Sequence, residues 1–121
     1  MKKLFEEIFV SIYEKNKEIK VIGVWGKDGL ELEKRHFSQF EDIDVDLEFS
    51  GAEIADIISR LDKIKISPQV FSLKLSLKEN LLLIASLTTD YFLMILSDPD
   101  IIEGKLSFYL NLYKNQLASA L

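Results

Sequence analysis

Residues 71–96 read FSLKLSLKENLLLIASLTTDYFLMIL, three apolar runs parted by two short polar turns. In the first run Phe71, Leu73, Leu75 and Leu77 alternate with Ser72, Lys74, Ser76 and Lys78. That is the period-two pattern of a strand with one face in a core. Lys78-Glu79-Asn80 leads into Leu81–Leu87, and Thr88-Thr89-Asp90 leads into Tyr91–Leu96. These two runs are apolar on both faces, as strands covered from both sides must be. The stretch therefore predicts three antiparallel strands joined by hairpins, the first at a sheet edge and the others inside.

Upstream, Leu4, Phe5, Ile8, Phe9 and Ile12 fall at helical spacing, so residues 2–16 form an amphipathic helix. Lys20–Gly26 is a short strand, apolar on both faces. Asp28-Gly29 is a tight hairpin signal, because that turn requires φ > 0. Leu30–Phe37 returns as an alternating strand. Ser50-Gly-Ala-Glu53 has the form of a capping box, and Ile54, Ile57, Ile58, Leu61 and Ile64 supply the apolar face of a second helix. Downstream, Asp98-Pro99 reads as the start of a last helix carrying Ile102, Leu106, Tyr109, Leu110, Tyr113 and Leu117.

The order is α-β-β-α-β-β-β-α, an α/β (α+β) class. The two-sided strands belong in the centre, and three short hairpins then leave one natural arrangement: a five-stranded antiparallel sheet of order 2-1-5-4-3. The first and last helices lie on one face and the second on the other. Five strands span about 20 Å and a helix about 10 Å, so covering both faces takes roughly four helices. Only three are present. The apolar arc of the second helix is also wider than the ~100° stripe of a single contact. Something outside the monomer is expected to complete the core.

Composition narrows the function. At 121 residues, 48% hydrophobic and 29% charged, residues 1–121 are expected to form one domain. There is no cysteine, hence no disulfide and no thiolate metal site. Glu6 and Glu7 interrupt the apolar run after the N-terminal lysines, and no apolar run approaches bilayer length, so neither a signal peptide nor membrane insertion is expected. A cytoplasmic protein is. The net charge is −5, with residues 38–62 carrying −7 (eight acids against Arg60) and the remainder +2. No basic stripe exists to neutralise phosphates, which argues against nucleic acid. A basic protein surface is the better partner for the acidic segment.

No catalytic constellation emerges. His36 is the lone histidine and reads as a solvent-side strand residue rather than a base or ligand. Asp42-x-Asp44-x-Asp46 has calcium-loop spacing, but Leu47 replaces the required glycine and Ile43, Val45 and Leu47 suit a strand face. Gly26-Lys-Asp-Gly29 lacks the spacing of a phosphate loop. Arg35 and Arg60 are the only arginines; an i,i+4 pair of Asp56 with Arg60 explains the latter better than a trans-acting finger. The chain is expected to be no enzyme and to carry no cofactor or metal.

Four stretches together resemble the Roadblock (dynein light chain) family, which includes the bacterial gliding-polarity regulators of GTPases. They are VIGVWGKDGLEL (21–32), SGAEIADIISRL (50–61), LLLIASLTTDYFLMIL (81–96) and EGKLSFYL (103–110). The likeness is one of shape and hydrophobicity over the whole chain, a profilin-like/Roadblock architecture. Residues 38–49 depart from it: the family's second helix is richer in alanine, whereas DIDVDLEF (42–49) alternates like an extra extended stretch. The helix start thus falls somewhere within 38–52.

The resemblance implies a homodimer or heterodimer, with second helices packed antiparallel and third strands paired into a ten-stranded sheet. The interface would use Ile54, Ile57, Ile58, Leu61, Phe71, Leu73 and Leu75. It further implies a non-catalytic scaffold or regulator of a small Ras-like GTPase, in which hydrolysis is stimulated without a donated catalytic residue. Glu53, Asp56, Arg60 and Lys63 would face that partner. A small-molecule sensor of PAS or GAF type is the alternative, since those domains share the sheet order.

Overall fold

The computed structural model describes residues 2–37, 42–61 and 72–121, with side chains at 3–37, 51–60 and 72–121. The elements are α1 (Lys2–Lys15), β1 (Ile19–Gly26), β2 (Glu31–His36), α2 (Asp42–Leu61), β3 (Ser72–Ser76), β4 (Leu81–Ser86), β5 (Tyr91–Ser97) and α3 (Glu103–Ser119). The five strands form one sheet of order β2-β1-β5-β4-β3, every neighbouring pair antiparallel. Both the strand order and the central place of the two-sided strands match the sequence pattern.

The sheet divides the core into two layers. Phe5, Phe9 and Ile12 of α1 and Leu106 and Leu117 of α3 pack with Ile22, Val24 and Ile95 on one face. On the other face, Ile54, Ala55 and Ile58 of α2 cover Trp25, Ile84, Phe92 and Met94. A register shift between Ile19 and Val21 turns Ile19 onto the α1/α3 side together with Ile22 and Val24, the usual effect of a bulge.

The β1–β2 turn is built on Gly29, whose φ of 88° is open to glycine and costly for other residues. Leu30 N–H donates to Asp28 Oδ1 at 3.0 Å and Gly29 N–H to the Gly26 carbonyl at 2.9 Å. At the opposite end of the sheet Lys20 Nζ donates to Asn80 Oδ1 at 2.6 Å and pairs with Asp98 at 3.3 Å, tying the ends of β1, β4 and β5. Beyond β2, the Phe37 ring stacks on Tyr13 of α1 at 4.2 Å and an interplanar angle of 5°.

Two boundaries differ from the sequence reading. Residues 42–49 are not an extra strand: α2 is continuous from Asp42, so Ser50–Glu53 lies inside the helix and does not cap it. The positions 43, 47, 51, 54 and 58 have helical spacing as well as alternation at their start, and acidic residues are favoured at a helix N-terminus. The last helix begins at Glu103, not at Asp98-Pro99. Asp98 is already committed to the strand end, its N–H donating to the Glu18 carbonyl at 3.0 Å and its carboxylate paired with Lys20. Pro99 and Asp100 form a turn in which Ile101 N–H donates to the Asp98 carbonyl at 3.2 Å, placing Ile101 in the core before α3 starts.

Candidate protein interaction site

The two sheet edges are protected unequally. β2 carries Glu31, Glu33, Lys34 and Arg35, a density of charge that opposes pairing with another strand. β3 reads SLKLS and offers one charge, Lys74. Its Nζ lies 2.9 Å from Glu103 Oε2 at the start of α3, so the cation is drawn to the α1/α3 side. Both side chains are half-exposed, and such a pair adds less than about 1 kcal/mol of stability; its effect is on where the charge sits.

On the opposite face of β3, Leu73 and Leu75 stand in register with Ile84 and Leu82 of the α2-side core. Leu73 packs against that core, whereas Leu75 is 40% exposed and Leu77, just past the strand, 51%. Leu77 was absent from the expected interface set, although the alternation from Phe71 to Leu77 carries it.

α2 separates its isoleucines. Ile54 and Ile58 are buried within the protomer, while Ile57 is 45% exposed. Ile57, Leu75 and Leu77 are thus exposed apolar residues, whereas Ile54 and Ile58 are not. Phe71 and Lys63 lie outside the described residues, and the Leu61 side chain does too.

Glu53, Asp56 and Arg60 are all exposed on α2. Arg60 pairs with Asp56 at 3.1 Å, the expected i,i+4 contact. Ala52, Glu53, Asp56 and Ile57 line a shallow concavity of about 420 Å³. Arg35, the other arginine, pairs with Glu6 of α1 at 2.6 Å. His36 is half-buried, in register with Val21 of the α2-side core, rather than solvent-facing. The Asp42–Asp46 run is helical, which removes the loop geometry a calcium site requires. Among the described residues no group of three or more His, Asp or Glu is placed to hold a metal ion, and no helix is long and apolar enough to cross a membrane.

These features define a Roadblock/LC7-type fold, with a five-stranded antiparallel sheet, two helices on one face and one on the other. Among solved structures, the gliding protein MglB of Thermus thermophilus superposes with a TM-score of 0.80 at 10% identity, over 98% of this chain and 88% of that one. MglC of Myxococcus xanthus gives 0.71 at 15% identity, over 98% and 99%. A Roadblock/LC7 domain of Streptomyces avermitilis gives 0.76 at 11% identity, over 94% of each. No protein-family model and no curated protein matches the sequence. At such identities the likeness is one of fold.

Proposed function

We propose that the chain is a non-catalytic scaffold that dimerises through β3 and α2 and binds a small Ras-like GTPase on its acidic α2 surface. One observation carries the dimer: of two sheet edges, β2 carries four charged residues, of which Arg35 is drawn to Glu6, whereas β3 carries the single Lys74, drawn to Glu103. Leu75, Leu77 and Ile57 remain exposed on the side that the second copy would cover. The fold shared with MglB and MglC supports the regulatory reading. Glu53 and Asp56 complement a basic partner face. The partner's own residues would perform any hydrolysis.

The test is size-exclusion chromatography with light scattering, followed by binding to the Ras-like GTPases of the source organism loaded with GDP or a GTP analogue. A dimer that captures one GTPase in a nucleotide-dependent manner is the expected result. A monomer at micromolar concentration overturns the dimer, and equal indifference to every GTPase overturns the partner.

A further inference from the structure

A groove of about 390 Å³ runs between α3 and the β3–β4 pair, on the face opposite α2. Small side chains create it. Ser72 on β3 stands opposite Ala85 on β4, and Ala85 stands opposite Leu93 on β5. The neighbouring row, Lys74–Leu83–Ile95, is filled, and from it Lys74 crosses to Glu103 at 2.9 Å. Among the described residues, α1 and α3 leave this strip of the sheet uncovered.

The floor of the groove is apolar, formed by Ala85, Leu87, Leu93 and Leu110. Its rim is polar: Ser72, Ser107 and Asn111 are exposed, and Lys114 is half-buried. Ser107, Leu110, Asn111 and Lys114 recur at helical spacing along about 10 Å of the α3 axis. Among the described residues, Lys114 is the only charged one lining the groove, and it has no acidic partner. The volume lies within the ~300–1,000 Å³ typical of small-molecule sites, which likewise combine apolar walls with a few convergent polar groups.

We infer that this groove binds an aliphatic monocarboxylate of medium chain length. The chain lies on Leu87, Leu93 and Leu110, and the carboxylate accepts hydrogen bonds from Lys114 Nζ and the Asn111 amide. A single cation with no acid beside it selects one negative charge and rejects amines. An apolar floor of this length selects an alkyl chain over a compact polar anion. The site shares Ser72 with β3 but opens on the sheet face opposite α2, and it does not depend on the GTPase reading.

The experiment titrates the full chain with hexanoate, octanoate and 1-octanol, using amide NMR shifts to locate binding and calorimetry to measure it. Shifts should concentrate at Ala85, Leu87 and residues 107–114. Affinity should rise from hexanoate to octanoate, by at most about fourfold per added methylene. Lys114→Gln should weaken octanoate about tenfold and leave octanol unchanged. Ala85→Leu should block both, with amide shifts elsewhere retained. Lys114→Gln sits at the surface and keeps the test valid even if Ala85→Leu misfolds. Shifts spread over Phe108 and Leu112 instead of the groove, no binding at all, or undiminished octanoate affinity in Lys114→Gln would each overturn the proposal.

Discussion

Trp25 on β1 and Gly51 on α2 meet so closely that a Cβ added at Gly51 would stand 2.8 Å from the indole Nε1. A helix-interior glycine normally costs about 1 kcal/mol relative to alanine. Here it lets α2 come down onto the largest fully buried side chain of the protein. Gly51→Ala should therefore destabilise by about 1–3 kcal/mol, as overpacking does, despite its better helix propensity. Thermal denaturation followed by fluorescence of the single tryptophan reads this directly. A raised melting temperature would show that the contact does not constrain α2.

Gly29 joins the β1–β2 turn to the same helix. Its φ of 88° disfavours other residues, and a Cβ there would lie 3.3 Å from Ala52 Cα. Gly29→Ala should lose about 1–2 kcal/mol from backbone conformation alone, with further loss from the contact. Urea unfolding should give a lower midpoint at unchanged slope; a changed slope would mean that the hairpin itself had come apart.

Ile57 and Ile58 are neighbours with opposite surroundings, 45% and 1% exposed. Ile57→Asp should give a folded monomer by light scattering and circular dichroism. Ile58→Asp should fail to fold, since an unpaired charge cannot be buried cheaply. A dimer that survives Ile57→Asp would remove α2 from the proposed interface.

The acidic α2 surface should act mainly on association rate. Glu53→Lys with Asp56→Lys should slow GTPase binding and flatten its salt dependence while the dimer stays intact. Stopped-flow measurements between low and physiological salt test this. Unaltered rates would move docking to another surface.

Arg60→Ala should leave any stimulated GTP hydrolysis within a few-fold of the parent, because Arg60 is exposed and engaged with Asp56 at 3.1 Å. Loss of a true arginine finger costs about 10³-fold or more. Single-turnover hydrolysis distinguishes the two, and a thousandfold loss would make this protein a catalytic contributor.

The strand pattern by itself determined the sheet. Alternation in 71–78 marked an edge, two-sided apolar runs at 20–26, 81–87 and 91–96 marked the centre, and hairpin lengths linked them into the order 2-1-5-4-3. Such information is local, because side-chain period and turn chemistry act over a few residues. Tertiary structure alone decided the rest. Asp42–Phe49 has the spacing of a strand and of a helix, and it is helical as the opening turns of α2. Asp98 has the chemistry of a helix cap, but Glu18 and Lys20 had already engaged it. Ile54, Ile57 and Ile58 look alike in sequence; only the angle at which α2 meets Trp25 leaves one of them facing outward. Lys74 alternates like any edge lysine, and its tie to Glu103 joins residues 29 positions apart. In each case a residue's role depends on a partner distant in the chain, and no local pattern encodes that partner.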